Sequence, residues 1–438
     1  MPKKIAIIGC GPAGYPCAFK LRDLGADVTI IEKDQIGGVC LNWGCIPSKS
    51  YLDSAHKFEI AKTYCDTTAD WQKIKLRKDT AIKKLQLGLQ SMIKAKNINY
   101  IEGLAKFIAE KELEINGEIL KFDDIVIATG TEAFFPPDLE EHKDKLLDNK
   151  SVFNLETLPK SISIIGGGVI GMEFACLFNA VGVQVNVVEL LDTILPLEDP
   201  AISTQLKRSL EKRNIKFHLK TKVENVSFEG ENKIITLANG EKLESEQILV
   251  CVGRTCELKN LGLESVGIEY SNKGIKADDK TLKVKDNIYA IGDVNGFHQL
   301  AHAAHKQGEV CAKNIIGENA DYSICNIPKV IYTWPEIASV GITKKEASEK
   351  NIELKTYKSF YLANGRAVAQ GDAEGFLEIF TDAKTNKILG AHIIGASASE
   401  IIHIISVAVH AKMDKDSLKD IVFAHPSFSE LIYEALGK

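Results

Sequence analysis

Residues Ile5–Lys33 read IAIIGCGPAGYPCAFKLRDLGADVTIIEK, and residues Ile162–Leu190 read ISIIGGGVIGMEFACLFNAVGVQVNVVEL. The two stretches align without a gap at a constant offset of 157. Each opens on an apolar run, passes through G-x-G-x-x-G, continues with apolar residues at helical spacing and ends a second apolar run on an acid. The glycines are Gly9, Gly11 and Gly14 in the first copy and Gly166, Gly168 and Gly171 in the second. The acids, Glu32 and Glu189, each lie 23 residues past the first glycine. In a strand–turn–helix unit the first glycine permits the tight turn. The second lets backbone approach a pyrophosphate at the helix N-terminus, and the third lets helix pack closely on strand. The acid accepts hydrogen bonds from the ribose of an unphosphorylated adenosine. One such motif can be a plain glycine-rich turn. Two with matched acids predict two dinucleotide sites.

A chain of 438 residues exceeds a single core and predicts several domains. Hydrophobic content of 45% and charged content of 26% suit a globular protein, and a net charge of −5 gives no basic footprint for nucleic acid or an anionic membrane. The opening MPKKIAIIGCGPAG has an apolar run of only four residues before glycine, which reads as a buried strand and not a signal peptide. IIHIISVAVHA is too short to span a bilayer. A cytoplasmic location is expected. There, ten cysteines do not make a disulfide scaffold, and any disulfide is expected to be catalytic.

Between the repeats, residues 51–97 carry charges at helical period and predict long amphipathic helices. LEINGEILKFDDIVIATG predicts an Asn-Gly hairpin leading into a buried strand, and ITLANGEKLESEQILVCVG repeats that design. A linker, the short strand NIYAIGD and a helix follow. Beyond Asn326 the chain changes to antiparallel strand patterns and two helices, a separate α+β unit.

The stretch GGVCLNWGCIPSKS, residues 37–50, holds Cys40 and Cys45 between glycines. On a regular helix, residues five apart have Cα atoms about 8–9 Å apart, whereas a disulfide needs less than about 7 Å. If the two bond, the helix must be broken there, and Gly44 and Pro47 allow it. Two free thiols or half a zinc site are the other readings, although no second pair at ligand spacing is present. Lys49, four residues past Cys45, would share its helix face and favour its thiolate; a solvated surface lysine is the plainer alternative. His425 precedes Pro426, so it is expected in extended backbone before a helix. Ser427-x-x-Glu430 fits a capping box.

Together GGVCLNWGCIPSK, the two fingerprints, IVIATG, YAIGDV, ANGRA and HPSFSE resemble the pyridine nucleotide–disulfide oxidoreductases, nearest the branch of dihydrolipoyl dehydrogenases. The resemblance runs along the whole chain in the family's order. It implies an α/β fold with two Rossmann-like dinucleotide-binding domains, for FAD and NAD, plus a C-terminal α+β dimerisation domain. The division would be 1–147 for the first part of the FAD domain, 148–259 for NAD, 260–325 for the rest of the FAD domain and 326–438 for the dimer interface.

The resemblance implies FAD on Gly9, Gly11, Gly14, Glu32, Gly130 and Asp293, with Lys49 near the flavin and paired to Glu173. It implies NAD on Gly166, Gly168, Gly171, Glu189 and Gly253. Glu189 opposes a 2′-phosphate and no arginine follows within fifteen residues, so NAD is expected over NADP. Cys40 would exchange with substrate and Cys45 face the flavin, their disulfide being the redox centre. His425, oriented by Glu430, would serve as acid–base from the partner subunit of a homodimer. No metal is implied. Cys10, Cys17, Cys65, Cys176, Cys251, Cys256, Cys311 and Cys325 read as core or surface.

The implied reaction is oxidation of protein-bound dihydrolipoamide with reduction of NAD+, on lipoyl-bearing subunits of 2-oxoacid dehydrogenase or glycine cleavage complexes. The lipoyl group is expected on another protein. Related reductases of another small disulfide and a non-catalytic flavoprotein subunit are the alternatives. Departures from the family pattern fall at Val39, Trp43, Cys256-Glu257, His305-Lys306-Gln307 and Phe423.

Overall fold

The structure is a computed structural model that describes residues 1–230, 232–322 and 326–437; Cys325 lies outside them. The first repeat forms β1 (Lys4–Ile8), α1 (Gly14–Asp23) and β2 (Asp27–Glu32), and the second forms strand Ser161–Ile165, helix Val169–Ala180 and strand Gln184–Val188. The 157-residue offset survives in the pairing. Lys4 stands opposite Asp27, and Ser161 opposite Gln184, both in parallel register. The runs rich in isoleucine and valine are buried on both faces, as central parallel strands must be.

The first sheet has six strands in the order Lys283–Lys285, Ile288–Ala290, Asp124–Ile127, β1, β2, Asn99–Glu102. Its first two members arrive from a segment that follows the whole second repeat. The second sheet runs Lys216–His218, Gln184–Val188, Ser161–Ile165, Gln247–Val250, all parallel. Each unit also carries a three-stranded antiparallel meander. One is Ala105–Ala109, Glu112–Ile115, Glu118–Lys121; the other is Val223–Glu229, Asn232–Leu237, Lys242–Ser245. The two Asn-Gly turns differ. Asn116 and Gly117 both take positive φ, 53° and 86°, in a two-residue hairpin turn. In the second, only Gly240 does, in a longer loop where Gly240 N–H donates to the Leu237 carbonyl.

The predicted amphipathic helices are α3 (Cys45–Lys62) and α4 (Trp71–Ala95), preceded by the short α2 (Gly38–Trp43). Helix thus begins at Cys45 itself, ahead of the expected residue 51. Tyr51 and Trp71 pack with Phe153 and Phe174 in a core that also receives Trp334 and Ile337.

The C-terminal unit is a five-stranded antiparallel sheet, ordered Lys329–Ile331, Ile337–Gly341, Ile388–Ile394, Phe376–Asp382, Leu354–Phe360. Helices Ala398–His410 and Glu430–Leu436 seat Ile402, Ile405, Leu431 and Ile432 against Leu377, Ile379 and Ile393. Short helices Lys344–Glu349, Gly365–Gln370 and Lys415–Lys419 join these two, so the unit holds more helix than its pattern suggested. Among the described residues no helix is long and apolar enough to cross a membrane.

Candidate functional site

A cavity of about 910 Å³ opens between the two sheets and the C-terminal unit. Gly9, Gly11, Glu32, Gly130 and Asp293 line it, and so do Cys40, Cys45, Lys49 and Glu173. The segments come together because each glycine removes an atom that would block the approach. A Cβ on Gly9, at φ 109°, would lie 2.4 Å from the Ala128 carbonyl oxygen, and one on Gly14 would lie 1.9 Å from the Gly9 oxygen. The second copy matches. A Cβ on Gly166 would meet the Cys251 oxygen at 2.4 Å, and one on Gly171 the Gly166 oxygen at 2.1 Å.

The middle glycines behave differently: a Cβ on Gly11 would find only Gly38 Cα, 3.9 Å away, and one on Gly168 nothing within 4 Å. Open space over a helix N-terminus is what a pyrophosphate requires, so both turns fit the dinucleotides that their pattern implies. Gly166, Gly168, Gly171, Glu189 and Gly253 are not in the cavity wall. Only its helix reaches the cavity, through Val169, Ile170, Glu173 and Phe174.

Both acids are held by the turns they serve. Glu32 accepts from Cys10 N–H at 2.8 Å and Asp34 N–H at 2.9 Å, and Glu189 from Gly167 N–H at 2.6 Å and Leu191 N–H at 2.8 Å. A carboxylate has about four lone-pair directions, so each retains acceptor capacity for ribose hydroxyls. Lys33, next to Glu32, pairs with Glu257, and both line the cavity.

The helix break expected between the cysteines lies at Gly44, with φ −142° and ψ −113° between α2 and α3. A Cβ there would stand 3.0 Å from the Val39 oxygen and 3.2 Å from Cys40 Cα, so glycine is needed for the chain to double back. Cys40 and Cys45 are free, half-buried thiols joined by a hydrogen bond. They are unequal. The hydrogen bond and burial push Cys40 far up, while the bond from Cys40, and next the charge of Lys49, pull Cys45 down to about 7.

One helical turn past Cys45, Lys49 Nζ donates to both Glu173 oxygens, at 3.0 and 2.8 Å. Burial opposes the charge on Lys49, but Glu173 outweighs it and holds the ammonium above its ordinary pKa. Tyr332 N–H donates to Glu173 at 3.0 Å, and the Tyr332 ring lies 4.7 Å from Lys49 Nζ.

Asp293 also has partners that local patterns do not reveal. Thr131 Oγ1 donates to Asp293 Oδ2 at 2.7 Å, and Arg254 Nε donates to Thr131 Oγ1 at 2.7 Å. Tyr332, Thr131 and Arg254 escaped the sequence reading. Arg254 carried the one usable signal, a charge directly after the buried strand and Gly253 in VGRTCEL.

His425 lies in the loop before helix Glu430–Leu436, as expected, with its side chain 79% exposed and Nδ1 2.9 Å from Glu430 Oε1. The capping box is only half made. Glu430 Oε2 accepts from Ser427 N–H at 2.7 Å, but the Ser427 hydroxyl is buried without a partner, and the helix begins at Glu430 itself. The Ser427 N–H first, and then His425, hold Glu430 below the usual carboxylate range. Neither His425 nor Glu430 lines the cavity of its own chain.

Among the departures, Val39, Trp43 and Glu257 line the cavity, and Lys150 Nζ stands 4.7 Å from the Trp43 ring. His305 and Lys306 face solvent beside Glu309. Gln307 is buried and accepts from Gly292 N–H at 2.7 Å. Phe423 packs on the C-terminal core. Cys10, Cys17, Cys176 and Cys311 are buried, and Cys65 is exposed.

Residues 3–308 match the pyridine nucleotide-disulphide oxidoreductase family, and residues 327–436 match its dimerisation domain. A dihydrolipoyl dehydrogenase of Chlamydia muridarum is 35% identical over 442 residues, covering 98% of this chain and 95% of that protein. LpdA from Mycobacterium tuberculosis superposes with a TM-score of 0.93 at 26% identity, covering 99% of both chains. The HOCl-induced flavoprotein disulfide reductase RclA from Escherichia coli, solved as a Cu(II) complex, gives 0.91 at 27% identity with the same coverage. The chain belongs to the pyridine nucleotide–disulphide oxidoreductases, as an oxidoreductase with FAD and NAD for cofactors and a homodimer for its working unit.

Proposed function

We propose that the protein is a dihydrolipoyl dehydrogenase, oxidising protein-bound dihydrolipoamide to lipoamide and reducing NAD+ to NADH. The observation that carries this reading is the pair Cys40 and Cys45 in the cavity wall, with Lys49 one helical turn past Cys45 and anchored on Glu173. Gly9, Gly11, Glu32, Gly130 and Asp293 would hold FAD in the same cavity. Gly166, Gly168, Gly171, Glu189 and Gly253 would hold NAD at the N-terminus of the Glu173 helix. The sheet memberships support the division 1–147, 148–259, 260–325 and 326–438, since residues 283–290 return to the first sheet.

In the resting state Cys40 and Cys45 form a disulfide. A substrate thiolate attacks Cys40, the Cys40–Cys45 bond breaks, and Cys45 leaves as thiolate beside Lys49. The second substrate thiol displaces Cys40 and closes the lipoyl disulfide. His425 of the partner subunit takes the thiol protons, with Glu430 fixing Nδ1–H so that Nε2 is the base. Bound FAD supplies the two-electron transfer from thiolate to NAD+ that no side chain can perform.

Lipoyl-bearing subunits of 2-oxoacid dehydrogenase or glycine cleavage complexes are the proposed partners, in the cytoplasm. The second reading is reduction of another small disulfide. Trp43 favours it, because an indole held under Lys150 takes up cavity space near Cys40. Steady-state turnover decides. Dihydrolipoamide with NAD+ should support rapid turnover and NADP+ should not. Absence of dihydrolipoamide oxidation, alongside NADH-dependent reduction of another disulfide, would reverse the two readings.

A further inference from the structure

Three residues far apart in the chain meet in one corner of the cavity. Strand Thr131–Ala133 pairs antiparallel with strand Arg254–Cys256, with Arg254 opposite Ala133 and Cys256 opposite Thr131. Arg254 therefore shares a face with Thr131, its diagonal neighbour. It grips Thr131 twice, through Nε to Oγ1 at 2.7 Å and through Nη2 to the carbonyl at 2.5 Å. Thr131, only 2% exposed, passes its own hydroxyl proton to Asp293 Oδ2 at 2.7 Å.

The direction of these bonds follows from what each group can do. A guanidinium only donates, and a hydroxyl has one proton to give. With Nε–H on one lone pair of Oγ1, the hydroxyl proton points at Asp293, which must present an unprotonated oxygen. Protonation at Oδ2 would strand the buried Thr131 hydroxyl without an acceptor, which leaves a proton only Oδ1, and there the Thr131 bond and the Arg254 charge both favour the ionised form. Burial pulls the other way and raises Asp293 above its ordinary pKa, while Thr131 and Arg254 lower it.

The other titratable group at this turn is Cys256, whose thiol donates to the Asp293 carbonyl at 3.6 Å. Helix Ala301–Ile315 reaches the turn with Gln307, and strand Gly274–Ile275 brings no titratable side chain.

We propose that Thr131 and Arg254 are positioning residues that keep Asp293 ionised, so that its free oxygen is an obligate acceptor for the hydroxyls of the cofactor's ribityl chain. The proposal rests on the reading that Asp293 meets that chain. Charge on Asp293 is then maintained by a proton order, Arg254 to Thr131 to Asp293, and not by exposure to water.

The test is release of FAD from the purified holoprotein, followed by the rise of free-flavin fluorescence from about pH 8 to about pH 5. The parent and Thr131→Ser should show flat profiles. Thr131→Val, which keeps shape and loses the hydroxyl, should release FAD about tenfold faster at the acid end than at the alkaline end. Arg254→Lys, which keeps charge but loses the two-point grip, should move the same way and serves if the valine variant does not fold. Flat profiles for both variants, with Asp293→Asn still releasing FAD quickly, would overturn the relay and leave the Asp293 contact standing. An Asp293→Asn protein that holds FAD as the parent does would overturn the contact itself, and the proposal with it.

Discussion

Lys49 Nζ stands 3.0 and 2.8 Å from the two oxygens of Glu173, joining the cysteine helix to the helix of the second fingerprint. Tyr332, from the C-terminal unit, donates its N–H to the same carboxylate. Three parts of the chain thus converge on one acid, 7% exposed, beneath the thiol pair. Lys49→Met would leave that acid buried with one donor. Breaking a fully buried pair costs about 3–5 kcal/mol. The Lys49 side chain is 34% exposed, so water screens part of the loss, and a fall of about 2 kcal/mol is expected. A lowered urea midpoint at unchanged slope would report it. An unmoved midpoint would show that Lys49 contributes nothing to the fold. Glu173→Gln, which keeps an acceptor for both donors, should cost less.

The Cys45 thiolate is tested by pH. Its pKa is lowered from the ordinary value to about 7, so in the two-electron-reduced enzyme the thiolate is present above that pH and lost as pH falls through it. A thiolate against an oxidised flavin gives a long-wavelength absorbance, which should bleach with a midpoint near this value. The hydrogen bond from Cys40 is the larger cause and Lys49 a smaller one. Lys49→Met should raise the midpoint by about one unit, and Cys40→Ala should raise it further. Cys45→Ser should keep bound flavin and lose the band altogether. A band that persists in Cys45→Ser would reverse the roles given to the two thiols.

What the chain reveals as text is what lies close along it. The repeat at offset 157, the break at Gly44 and the i,i+4 placement of Lys49 are local patterns, and each appears in the fold. Thr131 to Asp293 spans 162 residues and Arg254 to Thr131 spans 123, and no shared motif links these positions in the sequence. Tyr332 reaches Glu173 through its backbone N–H, and its ring meets Lys49 from 283 residues away, so nothing near it in the chain hints at either contact. Ser427-x-x-Glu430 shows the limit of a local rule. The carboxylate half of the box is made, with His425 on the other oxygen, but the helix starts only at Glu430, past the turn that Ser427 would cap, and the hydroxyl goes unpaired.

Coenzyme choice should follow Glu189. Its oxygens are pinned by Gly167 and Leu191 N–H, and the side chains beside it, Leu190 and Leu191, are exposed and uncharged. A 2′-phosphate would face a carboxylate that cannot turn away, and the fifteen residues after Glu189 hold no lysine or arginine to offset it. Like charges about 4 Å apart near a surface repel by a few kcal/mol before salt screening, so kcat/KM should favour NAD+ over NADP+ by about 100-fold or more. Glu189→Ala should narrow that ratio mainly by improving NADP+. An unchanged ratio would place coenzyme choice elsewhere.

His425 offers the sharpest test of the assembly. Its ring is 79% exposed, is oriented by Glu430 at 2.9 Å and is absent from the cavity wall of its own chain. An acid–base group that serves the thiols must then serve those of the other subunit. His425→Gln should slow dihydrolipoamide oxidation by about 10²–10⁴-fold, the usual contribution of a positioned base. Bound flavin and the Cys45 thiolate band should be unaffected. Glu430→Gln should lose less, since the histidine remains and only its orientation suffers. Mixing decides between subunits. Chains carrying His425→Gln have intact thiols, and chains carrying Cys45→Ser have an intact His425. Denatured together and refolded, they should form hybrid dimers with one complete site and regain a substantial part of the parent activity, although neither homodimer is active. If the hybrid stays as inactive as its parents, each His425 works within its own chain, and the loop before Glu430 must move to reach Cys40.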